Sequence, residues 1–467
     1  MVAKKNLCVL ILAAGKGTRM KSSLPKPLHS VCGFPIISYI LKAAQSLNPA
    51  AIGIVVGHES QQVIQAVKDG LASWQVSAPV VFIPQTELTG SGSAVKAALP
   101  LLKKFETIFI LNGDIPLLRA QTLQQMAQAF EAEPSKAMVL GVTVPNPKGY
   151  GRIVRDADGK FHAIVEEADA DLETKKICEI NSGMYVFDSK SLQEALSKLT
   201  PQGPKKEYYL TDTLSFIKQT NQPISLFFTA DYTEVLGIND KEQLAQAEQI
   251  MRGRTAKRLM EEGVTLINPQ DVYIDAQVKI GADTVIYPGT YILGNSVIGH
   301  HCVLEGGVYV RDSFIGNDVT LKMGTYVEES SVEENCQLGP YAHLRPLSVL
   351  KKGAKVGNFS EIKKSVIGEG SKVNHLSYIG DTQMGAGVNV GAGTITCNYD
   401  GKKKHQTVIE DHVFIGSNVN FVAPVTVREY AKIGAGSTIT KEVAAQSLGI
   451  ARARQVVLEK KGVKKND

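Results

Sequence analysis

From Ile274 onward aliphatic residues recur at every sixth position: Ile274, Ile280, Ile286, Ile292, Ile298, Leu304 and Val310. After short slips the count continues through Ile315, Leu321 and Val327, then Val332, Leu338, Leu344, Leu350, Val356 and Ile362, then Ile367, Val373 and Ile379, then Met384, Val390 and Thr396. An interruption follows, and the frame resumes at Ile409, Ile415, Phe421, Val427, Ile433 and Ile439. Neither an amphipathic helix nor an alternating strand sustains a period of six. A parallel β-helix does, because each flat face takes one hexapeptide and sends one aliphatic side chain to a shared axis. The repeat predicts roughly nine triangular coils. Glycines such as Gly281, Gly299, Gly316 and Gly416 directly follow inward positions, where a corner turn is expected to leave no room for a side chain.

The first half carries a different pattern. Leu7 to Leu12, Ile52 to Val56, Val80 to Ile83 and Ile108 to Leu111 are continuous apolar runs of strand length. Stretches of helix length separate them, including Ile36 to Leu47 with helical spacing. This alternation predicts a mostly parallel, Rossmann-like α/β sheet covered on both faces, with ligands bound beyond the carboxyl ends of the strands. Between the halves, Asn239 to Glu262 has helical spacing, with Asn239 or Asp240 placed to cap it and Gly263 to stop it. The expected division is therefore an α/β domain over 1–238, a linker helix over 239–263, and a β-helix over 264–467 ending in a basic tail.

Composition narrows the function classes. The 467 residues include no apolar run long enough to span a bilayer, and the N-terminal apolar stretch leads into a Gly-rich turn rather than a cleavage pattern. A cytoplasmic protein without membrane insertion is expected. Six scattered cysteines suggest neither a disulfide scaffold nor a zinc site; buried thiols are expected. A net charge of +5, part of it in Lys460, Lys461, Lys464 and Lys465, suits small anionic substrates and gives no footprint for nucleic acid.

Two segments fall at ligand-facing strand ends. Leu12-Ala-Ala-Gly15-Lys-Gly17-Thr-Arg19-Met20, followed by Leu24-Pro25-Lys26, combines small residues that let amides approach an anion with fixed positive charge. It lacks the Gly-Lys-Ser/Thr ending of a Walker loop. The strand Ile108 to Leu111 delivers Asp114 to the same edge, and a lone carboxylate there suits magnesium, which draws its other ligands from phosphates and water. Read singly, each segment is equally compatible with an ordinary turn.

Together they resemble the sugar-1-phosphate nucleotidyltransferases. Gln85, Gly90-Ser91-Gly92, Gly149-Tyr150-Gly151-Arg152, Ile164-Val165-Glu166, Glu179-Ile-Asn181 and Gly237-Ile238-Asn239 follow in the order of one subfamily. That subfamily is the bacterial bifunctional N-acetylglucosamine-1-phosphate uridylyltransferase and glucosamine-1-phosphate N-acetyltransferase. The resemblance implies that Gly15, Gln85 and Gly90 read the uracil nucleotide and that Arg19 and Lys26 hold its phosphates. It also makes Asp114 and Asn239 the Mg2+ ligands and places Gly151, Glu166 and Asn181 around the sugar phosphate. Leu88, Ser93 and Asn112 stand where this subfamily commonly has Gln, His and Tyr.

In the repeat, His375 lies two residues after inward Val373, and His is the side chain best suited to accept a proton near neutrality. Around it the resemblance implies Arg345, Lys363, Tyr378, Asn389, Asn398 and Tyr399 as sugar-phosphate contacts. It implies Ala392, Lys404, Ser417, Ala435 and Arg452 on the acetyl-CoA side, a left-handed helix, and a homotrimer with sites between chains. His343 stands where the subfamily commonly has Arg. The expected chemistry is acetylation of glucosamine 1-phosphate, then uridylyl transfer from UTP, supplying cell-envelope precursors. Two other readings stay open: a nucleotidyltransferase with a merely structural β-helix, and a noncatalytic regulatory subunit.

Overall fold

The computed structural model describes residues 5–57, 60–202 and 206–458, and the chain divides into two compact units at Met251/Arg252. The lysines of the basic tail lie outside the described residues.

In the first unit the strands Ile224–Thr229, Ala137–Thr143, Glu179–Asp188, Thr107–Asn112, Lys5–Leu12, Pro49–Val56 and Val80–Pro84 lie side by side in that order. All pair in parallel except Glu179–Asp188, which runs antiparallel to both its neighbours. The first strand shows why its run is apolar throughout. Leu7, Val9 and Ile11 enter one core, Cys8 and Leu10 the other, so both faces are covered. A hairpin of Arg152–Arg155 and Phe161–Val165 hangs from Glu179–Asp188 through the pair Ile180 and Arg152.

The helix Lys241–Glu261 starts as its sequence predicts. Asp240 Oδ1 accepts from Gln243 N at 2.9 Å, and Gln243 Oε1 reaches back to Asn239 N at 2.7 Å. It stops at Gly263, φ 95°, where Val264 N bonds Leu259 O and Gly263 N bonds Met260 O, the paired closure of a Schellman turn.

The second unit is a left-handed parallel β-helix whose described residues form faces of eleven, ten and nine short strands, in line with the coils read from the repeat. Inward residues stack in register: Ile286, Leu304, Leu321, Leu338, Val356, Val373, Val390, Ile415 and Ile433 on the first face, and Ile274, Ile292, Val310, Val327, Leu344, Ile362 and Ile379 on the second. All are buried in one continuous core. The third face carries Ile280, Ile298, Ile315, Val332, Leu350 and Ile367.

One inward position is polar for a local reason. Thr396 Oγ1 accepts from Gly380 N at 2.7 Å, and its neighbour along the stack is the fully buried Phe421, the one aromatic side chain among the described residues of this core and large enough to fill the space the threonine leaves.

The corners correct one expectation. The left-handed residue falls three positions after the inward aliphatic, as at Asp283, His301, Asp318 and Asn335, with φ of 55–61°. Gly281, Gly299, Gly316 and Gly416, one position after the inward residue, have ordinary φ and are required by close approach instead. A Cβ on Gly281 would lie 2.7 Å from the Gly299 carbonyl carbon, and one on Gly416 would lie 2.6 Å from Ala435 N. The slips in the count also have a cause. Val310 to Ile315, Val327 to Val332, Ile362 to Ile367 and Ile379 to Met384 are five-residue steps, and each moves the left-handed residue one place earlier, to Asp312, Glu329, Lys364 and Asp381. All four lie on the edge between the second and third faces. So does the insertion between Thr396 and Ile409.

Among the described residues no disulfide forms; Cys8, Cys32, Cys302 and Cys336 are buried, whereas Cys178 and Cys397 are exposed, contrary to the uniform burial expected. No helix of the described residues is long and apolar enough to cross a membrane.

Candidate functional site

In the first unit, four residues from distant stretches meet beyond the strand Thr107–Asn112. Lys26 Nζ donates to Asp114 Oδ2 at 2.6 Å and to Asn239 Oδ1 at 3.2 Å, and Arg19 donates to the same Asn239 oxygen at 2.9 Å. Backbone chemistry builds this meeting. Lys26, set between Pro25 and Pro27, begins a short 3-10 turn over Lys26–Leu28, and Gly17, φ 60°, lets that turn close, since a Cβ there would lie 2.9 Å from Lys26 Cβ. Asp114 is tied to the segment bearing Asn239 by Ile238 N donating to Asp114 O at 2.9 Å. The Lys26 and Asp114 side chains are 13% and 27% exposed, so the pair acts in a medium where charge interactions are stronger than in water.

Two adjoining cavities open here. One of about 640 Å3 is lined by Gly15, Lys16, Gln85, Gly90 and Asn112, and one of about 280 Å3 by Gly15, Lys26, Asn112 and Asp114. Gly90, φ 103°, packs so that a Cβ would meet Tyr208 O at 2.5 Å, and Gly92 N donates to that oxygen at 2.7 Å, pinning this wall to the Glu207-Tyr208-Tyr209 segment.

Gly151, Glu166 and Asn181 also come together. A Cβ on Gly151 would lie 3.2 Å from Glu166 Oε2, and Asn181 N donates to Gly151 O at 2.9 Å. Asn181 is held at both ends: Nδ2 donates to the Tyr185 hydroxyl at 2.8 Å, and Oδ1 accepts from Gly183 N at 3.0 Å. Burial raises the Glu166 carboxyl above the usual carboxylate range, opposed by a hydrogen bond from Thr211. Arg152, 1% exposed, donates to Glu167 at 2.7 Å and to Tyr150 O, clamping the loop before Gly151 to the strand end that carries Glu166.

In the β-helix, His375 belongs to a column. Val356, Val373, Val390, Ile415 and Ile433 stack, so Asn358, His375, Ala392, Ser417 and Ala435, each two residues later, occupy one corner on successive coils. His375 Nδ1 lies 2.8 Å from Asn358 Oδ1. That oxygen only accepts, so Nδ1 carries the hydrogen, and in the neutral ring Nε2 presents a lone pair. Gly393 N donates to His375 O at 3.3 Å, setting Ala392 on the next coil, and Arg452 donates to Ala435 O at 2.8 Å.

A second cluster forms at the edge between the second and third faces. Arg345 pairs with Glu361 at 2.8 Å. A hydrogen bond with Lys404 is the largest influence holding Lys363 below the usual lysine range; burial and the Lys404 and Arg345 charges act the same way. Lys404, expected on the acetyl-CoA side, thus stands beside the expected phosphate anchor. Asn398, buried, donates to Asp381 at 2.6 Å and to the Tyr378 hydroxyl at 3.4 Å, and Gly380 leaves the room, since a Cβ there would lie 2.7 Å from Asn398 Nδ2. Tyr399 is exposed at the tip of the inserted loop, its hydroxyl on Gly401 O, while Asp400 Oδ1 folds the loop by accepting from the amides of Lys402 and Lys403. Asn389, half-buried, sits on the first face, paired with Lys372 and Phe414. His375 and the Lys363 cluster stand at opposite edges of the second face.

Sequence reading missed Asn358, Asp381 and Glu361. The coil length was the available signal: Asn358 precedes His375 by one coil, and Asp381 precedes Asn398 by the same 17 residues.

Family models match both units: a MobA-like NTP transferase domain over residues 9–206, a GMPPB C-terminal domain over 268–358, and bacterial transferase hexapeptide repeats over 406–441. Proteins named "Bifunctional protein GlmU" match along almost their whole length. That of Syntrophomonas wolfei is 46% identical, covering 98% of this chain and all of the relative. Those of Geotalea uraniireducens and Carboxydothermus hydrogenoformans are 46% identical, covering 97% and 96% of this chain and 97% and 98% of theirs. With such identity across both units, the chain belongs to the family of bifunctional GlmU transferases.

Proposed function

We propose that the chain makes UDP-N-acetylglucosamine in two steps, acetylating glucosamine 1-phosphate in the β-helix and then transferring uridylyl from UTP in the α/β unit. The observation that carries this reading is the convergence of Arg19, Lys26, Asp114 and Asn239, drawn from segments 220 residues apart, on one point beside a cavity of nucleotide size.

In the first step His375 Nε2 takes a proton from the substrate amine, whose nitrogen attacks the acetyl-CoA carbonyl; the C–S bond breaks and the CoA sulfur leaves, taking up a proton. Asn358 holds the imidazole in the tautomer this requires. The amide near Ala392 faces the developing oxyanion, with Ser417, Ala435 and Arg452 along the CoA. Arg345, Lys363, Tyr378, Asn389, Asn398 and Tyr399 hold the sugar phosphate.

In the second step the phosphate oxygen of N-acetylglucosamine 1-phosphate attacks the α-phosphorus of UTP and pyrophosphate leaves, with no protein nucleophile. Gly15, Gln85 and Gly90 seat the base, Gly151, Glu166 and Asn181 the sugar, and Arg19 and Lys26 the phosphates. Asp114 Oδ2 and Asn239 Oδ1 are hard oxygens already aimed at one cationic point, so they fit Mg2+, which when bound supplies charge neutralisation across the triphosphate.

A homotrimer completes the reading. Tyr341, Phe359 and Leu376, at one corner on successive coils, are 51–62% exposed and hold φ of 48–54°. Bulky apolar side chains in that strained state, directly after Asn358 and His375 in two cases, suit cover by a second copy. The test is a coupled assay with glucosamine 1-phosphate, acetyl-CoA, UTP and magnesium that records CoA and pyrophosphate separately. Release of both supports the reading; pyrophosphate alone, from N-acetylglucosamine 1-phosphate, supports a structural β-helix, and neither supports a noncatalytic subunit.

A further inference from the structure

Gln85 is 9% exposed, and its amide nitrogen is surrounded. Nε2 donates to Ser93 Oγ at 2.8 Å and Glu87 O at 3.0 Å, with Gly90 O at 3.5 Å. Two of these partners are carbonyls that only accept. The third could donate, but its single hydrogen is committed to Gly90 O at 2.8 Å. All three neighbours therefore act as acceptors. Turning the amide over would set Oε1 against two carbonyl oxygens and a lone pair, a buried repulsion. The backbone is equally fixed, with Gln85 N on Val56 O at 2.8 Å. Among the described residues no protein donor reaches Oε1, and Gln85 lines the 640 Å3 cavity.

We infer that Ser93 is a positioning residue that locks the Gln85 amide with its oxygen toward the base pocket, so that the site selects pyrimidines carrying a hydrogen at N3. This rests on the uridylyl-transfer reading and deepens it. Uracil presents N3–H, which Oε1 accepts. Cytosine presents a bare N3 lone pair at the same edge, facing that oxygen and leaving two acceptors opposed. Ser93 stands where the subfamily commonly has His, so in this chain the lock is made by a hydroxyl that both accepts from the glutamine and donates to the loop.

The experiment uses the full chain and measures pyrophosphate release from N-acetylglucosamine 1-phosphate with UTP, CTP and 3-methyl-UTP, alongside CoA release as a control on the other half. Wild type should prefer UTP to CTP by at least about a hundredfold and should reject 3-methyl-UTP, because a site built around a hydrogen bond discriminates against partners lacking it. Ser93→Ala should lower the UTP/CTP ratio of kcat/KM by about tenfold, the size of one hydrogen bond to a buried amide. Ser93→Thr, which keeps the hydroxyl, should restore it, and CoA release should stay unchanged in both. An unchanged UTP/CTP ratio in Ser93→Ala, with active wild type, overturns the role of Ser93 alone. Wild type that accepts CTP as readily as UTP overturns the orientation of Gln85, and wild type releasing no pyrophosphate with UTP overturns the uridylyl reading beneath it.

Discussion

Replacing Asn358 tests whether the His375 column is a proton-transfer device. The 2.8 Å bond from His375 Nδ1 to Asn358 is what keeps the Nε2 lone pair available, because without it either ring nitrogen can carry the hydrogen. A neutral hydrogen bond is worth about 0.5–1.5 kcal/mol, which corresponds to roughly 2- to 13-fold in rate. His375 is exposed, so water competes for the bond, and the middle of that range, about fivefold, is the expected loss for Asn358→Ala. His375→Ala removes the proposed base and should cost about a hundredfold or more. Asn358→Asp supplies a negative charge instead, which favours the protonated ring; the pH profile of acetyl transfer should then move upward. The assay is thiol release from acetyl-CoA with glucosamine 1-phosphate, with pyrophosphate release from N-acetylglucosamine 1-phosphate on the same preparations as control. Full acetyl transfer in Asn358→Ala, or equal loss of both products, would refute the tautomer argument.

Four further outcomes are expected. Asp114→Asn removes the carboxylate beside Lys26 and should lower uridylyl transfer about a hundredfold while sparing acetyl transfer, read as the two products separately. Glu166 is raised by burial, so its ionised form is penalised in the folded state; Glu166→Gln should raise the melting temperature of the first unit at neutral pH, with the gain fading as pH falls through the raised folded-state range and gone below the ordinary carboxylate range, where both states are protonated, while uridylyl transfer drops. Arg152→Met takes the donor from Tyr150 O and one of two donors from Glu167, which keeps the Gly149 amide, and should lower the denaturant midpoint of the first unit and raise KM for the sugar phosphate more than for UTP. Phe421→Ala opens the axial core beside Thr396 and should cost about 3–5 kcal/mol, seen as an earlier midpoint for the β-helix with no change in the slope.

The parts of this fold that show in the sequence are those where one physical demand repeats. Every coil must place an aliphatic side chain on the axis, so the six-residue count reaches each face in register. The strand Lys5–Leu12 must feed two cores, so it is apolar without alternation. The site is legible where a fold must bring a charge to a strand end, as at Asp114. What stays hidden is the pairing of polar groups across coils. Nothing local marks Asn358 as the partner of His375, because the bond depends on the whole coil between them. Lys404 sits in an insertion whose path no repeat dictates, and only the fold sets it against Lys363. The amide of Gln85 is similar: its residue type is visible, but the direction it faces depends on Ser93, Glu87 and Gly90 meeting around it.

The edge between the second and third faces takes up all of the length variation from Ile274 to Ile439, both the shortened turns and the long insertion. The corner that bears His375 keeps its six-residue step throughout. One prism therefore has a fixed rail and an adjustable rail. Residues can be lost or gained on the adjustable side, which carries Lys363, Asp381 and Asn398, without sliding any member of the Asn358 to Ala435 column along the axis. On the proposed roles, such a division lets the sugar-phosphate contacts change by simple insertion or deletion while the proposed proton-handling geometry stays in phase, and it marks this edge as the place to graft new loops if another acceptor amine is to be tried.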